Sequence, residues 1–330
     1  MKTTFKKMAL AIIGLGLTLA GYAQIPMVRT TFNGTFTPIT SGSGGGTLST
    51  ATGDDITQDN LPIGFTFNYL GTNYTTMGVS TNGWASFVGA LAGASQNGNT
   101  NLYLTTGPNL SVGPWWDDLW SDSIVYRTTG TPGSQVFTIQ WNSITYFTGA
   151  TQRISFQLKL YEGTNVIEFH YGTVVPGTVS ASESASIGIE GATGGNGNYL
   201  DAVTGSYYCG QYFMQAATKW PTRYYRFTPG VPVAVPGGTY TVGMTGNYPT
   251  IDEAVADLNH RGISGPVVLS LIQTTYDVTP ANGDNIFPVV VGPIPGTSAV
   301  NTVTIQPAVG TATFSLMDLR LEESTMPRQR

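Results

Sequence analysis

Apolar and polar residues alternate with a period of two through most of the chain. Phe65, Phe67 and Tyr69 are separated by Thr66 and Asn68, and Ile154, Phe156, Leu158 and Leu160 by Ser155, Gln157 and Lys159. Such alternation buries one face of a strand and leaves the other polar. Short runs of β-branched and aromatic residues follow one another at Met77–Thr81, Trp84–Phe87, Ser123–Thr128, Gln135–Trp141, Val166–Tyr171, Ser186–Glu190 and Tyr224–Phe227. Roughly nine strands spaced by about ten residues or more predict an antiparallel sandwich, two sheets packed on their apolar faces. Asn82-Gly83 predicts a two-residue type I′ hairpin turn. Gly-rich segments at 41–53 and 89–99 predict loops.

The pattern changes near residue 229. Three prolines within 229–236 predict a stiff linker. Thr250 and Glu253 then form a capping box ahead of Ile251, Ala254, Val255 and Leu258 at helical spacing, with Gly262 as the stop. Pro266–Leu271, Pro288–Val291, Thr302–Ile305 and Thr311–Leu316 are near-continuous apolar runs, the texture of a buried parallel sheet. The predicted fold is therefore all-β: an antiparallel, jelly-roll-like β-sandwich over 24–228, the linker 229–236, and over 237–316 a cap helix with the start of a parallel solenoid. Residues 317–330 form an atypical charged tail. Solenoid coils stack to close their core, so a chain with one or two coils reads as a fragment, or as a frame that departs from its parent near residue 317.

At the other end, Lys2, Lys6 and Lys7 precede the apolar run Met8–Leu19 and the small residues around Ala23. Residues 1–23 predict a cleaved secretory signal, too short for a comfortable membrane span. The expected location is secreted, extracellular or at the outer cell surface, with no transmembrane segment after cleavage. Removing three lysines takes the formal charge from −5 to 11 − 19 = −8, which disfavours nucleic acid as a partner. The single Cys209 rules out an intrachain disulfide framework and reads as a small buried hydrophobe.

Candidate chemistry centres on Ser111–Trp120, which holds three of the six tryptophans around an Asp117-Asp118 pair. Trp115, Trp116 and Trp120 are a candidate platform for sugar rings, or else a plug for the sandwich core. Adjacent Trp115 and Trp116 point to opposite faces of a strand, so only one of them can look outward. Asp117, Asp118 and Asp122 are candidate ligands for a structural calcium, although calcium wants six to eight oxygens and an Asp in a turn commonly caps it instead. Asp54-Asp55 is a weaker candidate. Glu168 and His170, two apart on a strand, share a face and form either a proton-transfer pair or simply the polar side of a sheet with one solvated face. Two histidines make no metal cluster. No nucleophile elbow or phosphate cradle is present, and no further cofactor is expected.

The segments Leu61-Pro-Ile-Gly-Phe-Thr-Phe, Gly71-Thr-Asn-Tyr, Val79-Ser-Thr-Asn-Gly-Trp, Val112-Gly-Pro-Trp-Trp-Asp-Asp-Leu and Ile167-Glu-Phe-His-Tyr-Gly resemble, in order, the nidogen-like β-domain of secreted bacterial surface proteins. That resemblance implies an extracellular interaction module rather than an enzyme. Tyr248-Pro-Thr-Ile-Asp-Glu-Ala-Val with Gly262-Ile-Ser-Gly-Pro-Val-Val is similar to the N-terminal cap of right-handed, pectin-lyase-type β-helices, although the usual Gly-Thr-Tyr stands here as Thr274-Thr275-Tyr276; the similarity implies that 237–316 begins a helix-capped, truncated right-handed parallel β-helix. Together the two resemble large exported proteins of the Bacteroidota. The expected function is non-catalytic binding or adhesion to glycan or to matrix and surface proteins through sandwich loops. The alternatives are the front end of a polysaccharide lyase or hydrolase whose catalytic coils are absent, and a structural surface spacer.

Overall fold

The computed structural model describes residues 10–12, 25–91, 108–147, 149–178, 185–193, 198–202, 221, 223–276, 289–291, 294–308 and 319–321. The expected signal segment apart from 10–12, most of the 89–99 loop, Cys209, the expected strand 311–316 and the tail 317–330 apart from 319–321 lie outside them. The chain divides into two compact units, one running to Val231 and the other from Pro232, within the proline-rich segment. Strand β1 (Leu10–Ile12) goes with the second unit.

The first unit is all-β and of sandwich type. Its strands are β2 (Met27–Phe32), β3 (Thr47–Leu48), β4 (Gly53–Asp54), β5 (Thr57–Tyr69), β6 (Thr72–Ser80), β7 (Ala85–Ser86), β8 (Ser111–Trp116), β9 (Leu119–Ser121), β10 (Ser123–Thr129), β11 (Val136–Tyr146), β12 (Ile154–Tyr161), β13 (Ile167–Tyr171), β14 (Ser186–Glu190), β15 (Tyr199–Asp201) and β16 (Tyr224–Pro229). One antiparallel sheet has the order β2-β16-β13-β12-β11-β10-β3, with β9 added beside the end of β11 and β4 beside β9; the other has the order β15-β14-β8-β7-β6-β5.

Aromatic burial joins the sheets. Ile154, Phe156, Leu158 and Leu160 are buried as their alternation requires. Trp141 stacks on Phe156 at 5.1 Å and donates from Nε1 to the Ser80 carbonyl of the facing sheet at 2.9 Å. Tyr171 donates across to the Pro114 carbonyl at 2.8 Å. Each such ring contributes roughly 2–3 kcal/mol by burial, and its polar end finds a partner.

Asn82-Gly83 does join a hairpin, but not through the expected turn. Val79 faces Ala85, and the Ser80 N–H donates to the Trp84 carbonyl at 2.9 Å, so the loop has three residues, Thr81 to Gly83. Gly83 has a φ of 76° while Asn82 stays outside the positive-φ region, which suits a three-residue loop ending in a left-handed residue. Tertiary packing selects it. A Cβ on Gly83 would lie 1.9 Å from the Trp115 carbonyl oxygen. The Asn82 side chain bridges the Leu119 N–H at 3.0 Å and Asp55 Oδ1 at 2.7 Å.

In the second unit, β17 (Gly238–Val242), β18 (Val267–Leu271) and β20 (Val303–Pro307) pair in parallel, and β1 lies antiparallel on β20. Strand β19 (Val289–Val291) pairs in parallel with β21 (Leu319–Leu321), which falls inside the segment read as a tail. Helix α1 (Ile251–Arg261) starts where the capping box puts it: the Thr250 hydroxyl accepts from the Glu253 N–H at 3.2 Å, and Gly262 ends it with a φ of 71°. Its Ile251, Ala254, Val255 and Leu258 join Val242, Val267, Leu269 and Val303 in one apolar core.

Candidate functional site

The tryptophan motif forms β8, a corner at Asp117-Asp118, and β9. Trp115 and Trp116 do point to opposite faces, but both are 0% exposed. Trp115 faces the other sheet, donating to the Tyr146 hydroxyl at 3.1 Å and meeting Tyr171 edge-on. Trp116 stacks on Trp84 at 4.9 Å in a cluster with Leu91, against which Tyr199 packs. Neither offers a ring to a ligand, because the outer face of this strand is covered as well as the inner.

Trp120 is different, at 43% exposed. Strand β9 lies between β4 and β11, with Trp120 directly opposite Asp54 on one side and Thr145 on the other. Directly opposed residues of antiparallel strands share a face. The Phe147 N–H donates to the Asp118 carbonyl at 3.0 Å, and its ring is 49% exposed. The result is a surface with two exposed aromatics beside acids.

Of the expected calcium ligands, only Asp118 enters a cluster. Asp54, Asp55 and Asp118 each bring a carboxylate oxygen within 4.8 Å of the others. Asp117 is turned inward, and its Oδ1 accepts the Asp118 N–H at 2.8 Å, which caps the corner. Asp122 pairs with Arg153 at 3.5 Å at the surface. The trio Asp117, Asp118 and Asp122 is thus replaced by Asp54, Asp55 and Asp118, since it is β4 pairing with β9 that brings residues 54 and 118 together. Partial burial, and then the Asp55 charge, push the Asp54 carboxyl above its ordinary range. Three carboxylates supply part of the oxygen shell calcium needs.

Glu168 and His170 share a face, but that face is not the solvated one expected. Glu168 is 3% exposed and His170 8%. Glu168 Oε2 accepts from the Tyr161 hydroxyl at 2.6 Å and meets His170 Nε2 at 2.8 Å, while Oε1 accepts from Arg226 Nε at 2.7 Å and Nη2 at 2.6 Å. Burial raises this acid's pKa; the bonds from His170, Tyr161 and Arg226 together outweigh it and hold the carboxyl down to about 2. Burial also lowers His170, so its imidazole is neutral at physiological pH. Glu168 accepts at all its positions and His170 stacks on Tyr224 at 4.2 Å, so the pair is a closed ion network rather than a poised acid and base.

One buried acid escaped sequence reasoning altogether. Glu190 is 0% exposed, and both its carboxylate oxygens lack a hydrogen-bond partner among the described residues. Desolvation pushes its carboxyl up to about 9. Its place at the end of the apolar run Ser186–Glu190 gives no hint of burial.

Comparison with curated proteins and with solved structures finds no match to the chain. The model of the NIDO-related family matches residues 28–229, more than half of the chain and nearly the whole sandwich. Over that span the protein belongs to the NIDO-related, that is nidogen-related, domain family.

Proposed function

We propose that this is a secreted, non-catalytic surface or extracellular binding protein, which engages a glycan or a matrix protein through the surface around Trp120, at the β4–β9 corner of the sandwich. The observation that carries the reading is the exposure of Trp120 beside Asp54, Asp55 and Asp118, in a motif whose other two tryptophans are buried. An indole face stacks on the CH face of a sugar, and neighbouring carboxylates accept its hydroxyl hydrogen bonds. A structural calcium held by Asp54, Asp55 and Asp118 would offset their mutual repulsion and fix the β4–β9 corner. The N-terminal lysines and apolar run support export, and no helix among the described residues is long and apolar enough to cross a membrane.

Glycan-array and matrix-protein binding by the purified chain tests this. Trp120→Ala is expected to weaken binding at least about tenfold, roughly 1.4 kcal/mol, with an unchanged melting temperature. Chelation with EDTA is expected to weaken it too and to lower the melting temperature. A Trp120→Ala protein that binds like wild type would overturn the assignment, and a purely structural spacer would then be the better account.

The same proposal extends to architecture. The interleaving of distant strands, β2 beside β16 and β8 beside β14, supports a jelly-roll type of sandwich. Past the linker, successive passes of the chain contribute β18 then β19, and β20 then β21, to two parallel ladders. That supports the helix-capped right-handed β-helix, with exported proteins of the Bacteroidota as the expected setting. It also favours a second functional reading, the front end of a polysaccharide-processing enzyme whose chemistry lies on other coils. Both readings expect this chain alone to release no reducing ends from pectin and similar polymers; measurable release would overturn the non-catalytic assignment and place chemistry on the chain itself.

A further inference from the structure

Residues 33–46 leave β2 at one edge of the larger sheet and enter β3 at the other, crossing β16, β13, β12, β11 and β10 on the way. Six inter-strand steps are roughly 29 Å, well within the ~46 Å that fourteen extended residues reach. Among the described residues the strap pairs with no strand along its course; its own end closes into a turn in which the Gly46 N–H donates to the Thr40 carbonyl at 2.7 Å. Side-chain amides hold it instead. Gln157 Nε2 donates to the Thr37 carbonyl at 2.8 Å, and Gln140 accepts the Ile39 N–H at 2.8 Å while donating to the Ile39 carbonyl at 2.9 Å. Arg127 donates to the Gly44 carbonyl at 3.2 Å. Gly34 sits on the Tyr224 ring, where a Cβ would lie 2.5 Å from it.

Beneath the strap is one cross-strand row. Gln140 faces Gln157, Gln157 faces His170, His170 stacks on Tyr224, and Tyr224 faces Phe32. The seating is imperfect: Gln157 Oε1 and His170 Nδ1 are buried without a hydrogen-bond partner among the described residues. Each such atom forgoes the hydrogen bond that water would give it, a cost that opening would relieve.

We propose that the strap is an acid-released cover, opened when His170 takes a proton at Nδ1, and that opening uncovers the Gln140, Gln157, His170, Tyr224 and Phe32 row. Ionised Glu168 takes the Nε2 hydrogen, which leaves the Nδ1 lone pair as the site of protonation. Among the described residues, no group, the facing Gln157 Oε1 included, stands in hydrogen-bond geometry with Nδ1, so the new N–H would be unpaired under the closed strap as it is seated. Of the charges facing the ring, the Glu168 carboxylate favours the imidazolium, but burial first and then the Lys159 and Arg226 cations outweigh it; Tyr161 and Tyr224 are neutral, and the strap carries no ionisable group. Burial lowers the imidazole pKa in the closed form, and water restores it toward ~6.5 in the open form. The closed form therefore binds fewer protons. Its stability is full above the open-form value and is lost as pH falls below it.

Hydrogen exchange resolved to residues 36–46 of the full chain tests this. After correction for intrinsic rates, protection of the Ile39 amide is expected to fall at least about tenfold between about pH 7.5 and about pH 5, while the β11–β12 ladder is unchanged. His170→Gln, which keeps an N–H for Glu168, and His170→Phe, which keeps the stack on Tyr224, are each expected to remove the pH dependence. Ile39 protection that is the same at both pH values in the wild type would overturn the proposal, whatever the variants do. Equal loss in a folded variant would overturn it too.

Discussion

Trp115→Ala is expected to cost about 3–5 kcal/mol of folding stability, read as a lower denaturant midpoint at unchanged slope. Three effects add. The indole is wholly buried between the sheets, and so leaves a cavity that rigid strands cannot close. Its N–H partner, the Tyr146 hydroxyl, loses a bond, and its edge-on contact with Tyr171 disappears. Its backbone also meets the Asn82-Gly83 loop, where Trp115 N–H reaches the Gly83 carbonyl at 3.4 Å, so disorder there spreads to the β6–β7 hairpin. Trp120→Ala, five residues on, removes no such packing. A loss of less than about 1 kcal/mol for Trp115→Ala would mean that the two sheets are not packed on this ring.

Glu190→Gln is expected to stabilise the protein, by an amount that depends on pH. The folded carboxyl is raised to about 9 from an ordinary value of 4.5, so the folded state holds a proton that the unfolded state has released across that window. Stability from this group is therefore greatest below the unfolded value and falls as pH rises toward the folded one. The difference between variant and wild type should be near zero at about pH 4 and on the order of 3 kcal/mol at about pH 7. Chemical denaturation across this range measures it, and parallel curves for the two proteins would show that Glu190 is hydrated or paired in solution. His170 has the opposite sign, since acid opens the strap while it favours Glu190. Global stability and Ile39 protection are thus expected to move in opposite directions on acidification, which separates the two effects.

Much of this architecture is legible in sequence because it is local. Strand alternation at Ile154–Leu160 is a two-residue period, the helix start at Thr250 is a three-residue box, and Gly262 stops the helix by its own backbone freedom. The chain's apolar residues decided that these segments form two layers and that the texture changes after residue 229. The candidate site is another matter. Trp115, Trp116 and Trp120 look alike in sequence, and Asp117, Asp118 and Asp122 look like a cluster. Only the pairing of β4 with β9 sets Asp54 across from Trp120 and carries Asp54 and Asp55 to Asp118.

Burial of the polar face is equally non-local. Gln157 and His170 occupy positions that alternation assigns to solvent, yet a segment more than a hundred residues earlier lies across them. Side-chain period says which residues share a face, whereas what covers that face depends on contacts between segments remote in sequence. The residue types along this chain therefore determined its strands, its helix and its aromatic core. Which carboxylates meet, which tryptophan stays exposed and which histidine is sealed were decided by strand order and by the path of the strap, because each depends on chain crossings that no local pattern encodes.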